Sequence, residues 1–216
     1  EAWQKNQKGM SSSVSLSKEA RDVAIAVWLN ARDAAVTAAQ QLSNSDGLDV
    51  HKQIANRLLE PFMWHTAILS GTERQNFYGL RTDSAAEPHF QIIAKMMQAA
   101  EALSTPVLRQ PGEWHLPYVE NVDLVELRKS YDDTEIARIS AARCARVSYL
   151  TQNGVRDPQE DLALAERLTK PVLHASPFAH VAQVTPKPLP SGNFHGGWAQ
   201  FRKRLPNEAI FKGRTS

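Results

Sequence analysis

Cysteine is nearly absent from this sequence. Cys144 is the single cysteine among 216 residues, so an internal disulfide is excluded. Chains without disulfides are typical of reducing compartments, and we therefore predict a cytoplasmic protein. A nucleophilic cysteine would need a nearby base and an electropositive pocket, which the pattern around Cys144 does not indicate. We expect a buried structural thiol.

Long apolar runs and a strong excess of charge are also missing. No apolar stretch is long enough to span a bilayer and no signal peptide is visible, so we predict no membrane partner. The 25 basic and 23 acidic residues give a net charge of +2, which argues against a dedicated nucleic-acid binder. Residues 193–216 are locally basic and are interpreted as a solvated tail. Binding of DNA or RNA through this tail is the weakest of our hypotheses.

Short motifs that identify cofactor or catalytic sites are missing too. The chain has no Walker loop, GxGxxG, GxSxG or thiol–histidine signature. Neither HExxH nor a cysteine partner accompanies His174 and His180, so no metal site is predicted. His115, between prolines in GEWHLPYV, is expected to be structural rather than catalytic.

Helical periodicity and end signals are present in six segments. Ser17 and Asp157 are typical N-cap residues, Pro88 and Pro158 suit first helical positions, and Pro61 ends a helix. The predicted helices are 18–42, 52–59, a helix that begins at the capping-box spacing of 72–75 and contains Arg81, a helix from Pro88, 132–149, and 158–168.

Apolar spacing predicts which helix faces are buried. In 18–42 the apolar residues recur at steps of three and four, which predicts close packing against another helix, in the same subunit or across an oligomer contact. This face consists of Ala20, Ala24, Val27, Ala31, Ala34, Ala38 and Leu42. In the helix from Pro88 the predicted face consists of Phe90, Ile93, Met97 and Ala100. The short apolar run 62–69 is predicted to be a buried strand.

Arg57 and Arg81 each lie near an end of a predicted helix. The planar guanidinium is always charged and matches phosphates and the edge of a pyrimidine, so both are candidate ligand contacts. Solvated arginines or surface ion pairs are the alternative. The residues alone therefore indicate an α+β domain with clustered arginines and a histidine–serine loop at 170–180.

Two parts of the chain resemble the flavin-dependent thymidylate synthases. In that family a segment AARVSY is followed by an acidic helix and a loop of the form GHxSPFEH. Here CARVSY (144–149), the helix from Asp157 and LHASPFAH (173–180) follow in the same order and spacing. The family also carries an arginine followed four positions later by proline, then a strand and NFxxLR. This part is similar to Arg57 and Pro61, the run 62–69, and NFYGLR (76–81).

The two parts are exchanged relative to the usual family order, which resembles a circularly permuted subgroup found in some bacteria and their phages. The family signature RHRxxSxNExSxR has only an echo here, at 200–204 and 207–208. Because the chain starts abruptly at Glu1, we expect the signature to lie upstream.

The resemblance implies a single α+β domain over 1–216, with a mostly antiparallel sheet flanked by long helices. Its helical nucleotide-binding part would be 1–119 and its flavin-binding part 120–216. It implies a homotetramer with active sites between subunits that hold FAD, a pyrimidine deoxynucleotide and methylenetetrahydrofolate, with NADPH as reductant. A phage-encoded chain would act in the host cytoplasm.

The resemblance also implies roles for six residues. Arg57 would hold the nucleotide phosphate, and Arg81 would lie on the pyrimidine as the catalytic residue. The residues implied to contact FAD are Asn76, Ser148, His174 and Ser176. Two positions depart from the family: a glutamate of the SPFEH loop is Ala179, and a flavin-contacting histidine is Ala85.

The expected reaction is conversion of dUMP to dTMP. A dUMP hydroxymethylase or an enzyme that modifies dCMP is the first alternative. A catalytically silent nucleotide-binding or scaffold homologue is the second, because the signature and two flavin contacts are missing.

Overall fold

The computed structural model describes residues 3–148, 156–187, 189–206 and 208, and the side chain of Ser148 is outside this description. The chain forms two compact units. Unit 1 comprises Glu1–His65 and Gln75–Ser104, and unit 2 comprises Thr66–Arg74 and Thr105–Ser216. These units divide the chain differently from the predicted parts 1–119 and 120–216, because residues 105–119 belong to unit 2. Among the described residues, no helix has both the length and the apolar character needed to cross a bilayer.

Helix α1 (Lys18–Ser43) confirms the first predicted helix. The Ser17 hydroxyl accepts a hydrogen bond from the Ala20 amide at 3.2 Å, which satisfies one of the free N–H groups of the first turn. The predicted buried face is wrong in large part, since Val27 is 63% exposed and Ala39 is the buried residue of this helix. Spacing located an apolar stripe, but the packing partners decide which stripe is covered.

The second predicted helix is only partly α-helical. Helix α2 (Lys52–Ala55) gives way to a 3-10 segment, Asn56–Phe62, which contains Pro61 instead of ending before it. The predicted buried strand at 62–69 is wrong. Residues 63–71 form no helix or strand, and Trp64 is 99% exposed.

Helices α3 (Gln75–Arg81) and α4 (Pro88–Leu103) complete unit 1. Both were predicted, although α3 starts at Gln75 rather than within 72–74. Glu87 caps α4 by accepting from the Phe90 amide at 3.0 Å. The predicted apolar face of α4 is wrong in part, because Phe90 and Ile93 are exposed and Ala94 is the buried residue.

Unit 2 is built around α6 (Asp133–Ala145), whose neighbours are α5 (Asn121–Leu127) and α7 (Pro158–Thr169). The start of α6 is the capping box formed by Asp132 and Glu135, and Asp157 caps α7. The predicted end of the α6 helix at Tyr149 lies outside the described residues. The buried core of α6 and its neighbours consists of Trp114, Ala137, Ala141, Ala142, Ala165, Phe178, Val181 and Phe201.

A small antiparallel sheet packs in unit 2 with the order β1 (Trp114–His115), β2 (Ala182–Val184), β3 (Trp198–Gln200). His115 pairs with Ala182, and Ala182 pairs with Gln200. Because side chains alternate along a strand, Trp114 points into the core while His115 and Gln200 share the opposite face. The α+β class is confirmed, with three short strands and mostly helical structure around them.

Candidate functional site

Helix α3 carries two of the predicted site residues, Asn76 and Arg81. Arg81 is the last residue of the helix, where a positive charge is favoured by the helix dipole. Its guanidinium carbon lies 5.9 Å from the ring centroid of Phe90, and the residue is half-buried. Within the described residues no carboxylate pairs with Arg81. Asn76 is exposed near the start of α3, five residues from Arg81, so the two side chains point in different directions.

The orientation of α3 is set by Tyr78, which is buried beneath it. The Tyr78 hydroxyl donates to Glu101 Oε2 on α4 at 2.6 Å, and the Tyr78 ring is 5.6 Å from that of Phe77. The two contacts attach α3 to α4. Arg81 therefore projects from a fixed helix end rather than from a loop.

Arg57 lies in the 3-10 segment of unit 1 and is exposed. Among the described residues it makes neither a hydrogen bond nor an ion pair. The segment itself is anchored where Phe62 contacts Trp28 of α1, with ring centroids 5.3 Å apart. An unpaired guanidinium on an anchored turn is suited to binding an anion such as a phosphate. Arg57 and Arg81 share no described partner.

His174 and Ser176 lie on the loop between α7 and the 3-10 turn Pro177–His180 of unit 2, and both side chains are exposed. The loop is held by its backbone: the His174 amide donates to the Leu168 carbonyl at 2.7 Å, and the Ala179 amide donates to the Ser176 carbonyl at 3.1 Å. The imidazole and the hydroxyl have no described hydrogen-bond partner and are available to a ligand. Ser148 ends the 3-10 turn Arg146–Ser148, where only its backbone is described.

The clustered arginines of α6 serve the core of unit 2. Asp161 of α7 is fully buried and accepts from Arg143 Nε at 2.9 Å and also from Arg146. Arg143 further donates to the Tyr118 carbonyl at 2.9 Å and pairs with Asp123 at 3.2 Å. A charged pair tolerates burial only when its hydrogen-bonding groups are satisfied in this way. Arg143 and Arg146 are therefore committed to joining α6 to α7.

A polar cluster connects His180 to Ser70, which sequence reasoning did not single out. His180 Nδ1 and Ser70 Oγ are 3.0 Å apart, and burial lowers the pKa of His180. Gln200, which is buried, donates to the Ala179 carbonyl at 2.8 Å and to the side chain of Asn193. Asn193 in turn donates to the Ser70 carbonyl. The signal was hidden because Ser70 and His180 are 110 positions apart.

The departures from the family pattern fall at two different environments. Ala179 is half-buried beside this cluster, and its carbonyl is used by Gln200. Ala85 is exposed in the turn before α4, where its amide donates to Asp83 at 2.8 Å.

His115 lies among aromatic rings, as expected for a structural histidine. Its ring centroid is 5.9 Å from that of Phe194 and 6.4 Å from that of Trp198. Burial lowers the pKa of His115, and the nearby charges of Arg109 and His180 lower it further. The imidazole is therefore neutral at pH 7 and packs as an aromatic ring.

Cys144 is a buried thiol. Burial raises the pKa of Cys144 to about 12, so the thiolate is scarce at neutral pH. In the described part of the chain, no three His, Cys, Asp or Glu side chains are grouped so that they could hold a metal ion.

No protein-family model, curated protein or solved structure matches this chain.

Proposed function

We propose that this chain is an FAD-dependent enzyme that transfers a one-carbon unit from methylenetetrahydrofolate to C5 of a pyrimidine deoxynucleotide, converting dUMP to dTMP. The observation that carries the proposal is Arg81, a half-buried arginine without a described carboxylate partner, held at the fixed end of the helix that contains NFYGLR. The order and spacing of CARVSY, the acidic helix and LHASPFAH add support from the sequence.

The polar residues assigned to FAD are suited to such a contact. The side chains of Asn76, His174 and Ser176 are exposed and have no described partner within the protein. Bound FAD would accept a hydride from NADPH and supply reducing equivalents for the one-carbon transfer. The chain contributes hydrogen-bond donors and acceptors to this cofactor and no nucleophile, which agrees with the suppressed ionisation of Cys144.

Arg57 and Arg81 would act on the nucleotide. The exposed, unpaired guanidinium of Arg57 would bind the 5′-phosphate with charge-assisted hydrogen bonds. Arg81 would lie beside the pyrimidine, where its positive charge stabilises the negative charge that develops as C5 becomes nucleophilic. The Phe90 ring at 5.9 Å limits water on one side of this guanidinium and strengthens that effect.

A homotetramer is part of the proposal. The stripe of α1 predicted to pack against a helix is largely uncovered within this chain, with Val23 and Val27 both exposed. Such an uncovered apolar stripe is typical of a subunit contact. Light scattering on the eluting protein would test it, with Val27→Glu expected to lower the mass.

A catalytically silent nucleotide-binding homologue is the second candidate. Alanine at positions 85 and 179 removes two side chains that the family directs at flavin. A protein of this kind would bind a deoxynucleotide through Arg57 without bound flavin or turnover.

The deciding experiment is a flavin spectrum followed by a product assay. The longest natural version of the chain is purified and incubated with NADPH, methylenetetrahydrofolate and either dUMP or dCMP, and the product mass is measured. Flavin absorbance with a methyl gain on dUMP is the expected result. A hydroxymethyl gain, or a gain on dCMP, would support the alternative products. Colourless protein with unchanged nucleotides would overturn the proposal in favour of the silent homologue.

A further inference from the structure

A groove of about 930 Å³ lies within unit 1, and none of Arg57, Asn76 and Arg81 lines it. One wall is a face of α1 that the sequence analysis did not single out, with Ile25, Trp28, Leu29 and Arg32 at helical spacing. The remaining walls are contributed by residues 3–7, 9–12, 61–64 and 87–89. This volume is within the range of small-molecule sites.

Aromatic rings dominate the apolar part of the groove. The Trp28 ring meets Trp3 edge-on at 6.3 Å and Phe62 edge-on at 5.3 Å, so these three rings support one another. Trp64 is different, because 99% of it is exposed. A large indole held in water is unfavourable, and its two faces are open to stacking.

The N-terminal wall is a preformed structure. The Leu16 amide donates to the Trp3 carbonyl at 3.0 Å, and the Lys5 amide donates to the Val14 carbonyl at 2.8 Å. These hydrogen bonds fold the first residues back on themselves. The Ser11 hydroxyl attaches the fold to the Ser84 carbonyl at 3.0 Å. The groove therefore exists before any ligand arrives, which lowers the entropic cost of binding.

The charges that line the groove leave one cation without a partner. Arg32 is satisfied by Asp33 at 2.8 Å, and Glu87 is satisfied by His89 at 2.6 Å and by the Phe90 amide. Among the described residues, the Lys5 ammonium has no ion pair or hydrogen bond. A ligand in this groove would gain most from a negatively charged group near Lys5.

We infer that the groove binds a flat aromatic or heteroaromatic ligand that carries a carboxylate or a phosphate. The ring stacks on Trp64, and the anionic group pairs with Lys5. The same chemistry is offered by an aromatic acid and by an aromatic phosphate ester, such as a nucleotide. This inference does not depend on the proposed function, because its residues are separate from those assigned to FAD and the deoxynucleotide.

The test uses three probes with the same ring: 1-naphthoate, 1-naphthyl phosphate and the neutral 1-naphthamide. Binding is measured by titration calorimetry on the full chain. We expect one of the two anionic probes to bind at least tenfold more tightly than the amide, and which of them binds more tightly distinguishes the carboxylate from the phosphate. Trp64→Ala should weaken that probe about tenfold, as removal of a stacking ring commonly does. Lys5→Ala should weaken the anionic probe and leave the amide unchanged.

The control variants are Leu103→Ala and Lys52→Ala, which remove an exposed apolar and an exposed basic side chain of unit 1 that do not line the groove. Neither should change probe binding. Equal binding of all three probes, or unchanged binding in Trp64→Ala and Lys5→Ala, would overturn the inference. No binding of any probe, together with a lower oligomer mass in Trp64→Ala, would identify the groove as a subunit interface and overturn it as well. Loss of flavin or turnover bears on the proposed function alone.

Discussion

Arg143 Nε donates a hydrogen bond of 2.9 Å to Asp161 Oδ2, although both side chains are buried. The second oxygen of Asp161 accepts from Arg146, so one carboxylate serves two guanidinium groups. This carboxylate joins α7 to α6 at the centre of unit 2. The relationship has a direct consequence for stability.

Asp161→Asn should lower the free energy of unfolding by about 3–5 kcal/mol, because two guanidinium groups then face a neutral amide in a buried site. Urea denaturation would show the loss as a lower midpoint. Asp33→Asn is the matched control, since its pair with Arg32 at 2.7 Å is exposed and is expected to contribute about 1 kcal/mol or less. Equal midpoints for the two variants would show that the buried pair does not stabilise unit 2.

Stability should decrease in mild acid because burial lowers the pKa of His180, and that of His115 together with nearby charges. The unfolded chain then binds protons more readily than the folded one. The histidine contribution is fully present above an unfolded pKa of about 6.5 and is lost as the pH falls through the lower folded pKa. Urea midpoints measured from pH 8 to pH 5 should therefore fall below about pH 6.5.

His180→Gln tests the residue responsible, since glutamine can still bond Ser70 but does not titrate. Its midpoint should depend less on pH than that of the unaltered chain. His65→Gln changes an exposed histidine and should leave the pH dependence as it was. If His65→Gln flattened the profile as much as His180→Gln, the titration would not belong to the buried cluster.

Cys144 should resist modification in the folded protein. Since burial raises the pKa of Cys144 to about 12, against a model value of 9.0, its thiolate fraction at pH 8 is about a thousandfold smaller than in the unfolded chain. Ellman's reagent should react slowly with native protein and rapidly in urea. Equal rates in the two states would show that the thiol is accessible and ionised.

Arg81→Ala should abolish turnover, by at least about a hundredfold in kcat, while flavin stays bound. The physical reason is the loss of a fixed positive charge where negative charge develops on the pyrimidine. Steady-state assays and the flavin spectrum would be compared with those of Arg21→Ala, which removes an exposed arginine of α1. Retained turnover in Arg81→Ala would remove this residue from the mechanism.

Arg57→Ala should mainly raise KM for the nucleotide. A phosphate anchor binds the ground state and the transition state equally, so kcat should change little. Michaelis–Menten curves and direct nucleotide titrations would measure both effects. An effect confined to kcat, with unchanged nucleotide affinity, would contradict the role of Arg57 as an anchor.

Local signals in the sequence predicted the helices better than their environments. The caps at Ser17, Asp132 and Asp157 each bond an amide within the first turn, so they depend on residues that are already neighbours. The run 62–69 misled because an apolar stretch can be a buried strand or an uncovered segment, and no strand pairs with it. The functional residues stay predictions, whereas the structure gives the environment of each described one.

The sequence by itself determined the start of the main helices, the absence of disulfides and the α+β class, because these depend on local hydrogen bonding and composition. Tertiary structure alone decided which face of α1 lines a groove and which stays uncovered. It also decided that Arg143 is committed to Asp161 while Arg57 is left unpaired, and that Ser70 meets His180. Burial and pairing of this kind depend on residues far apart in the chain, and their free energy exists only once the chain has folded.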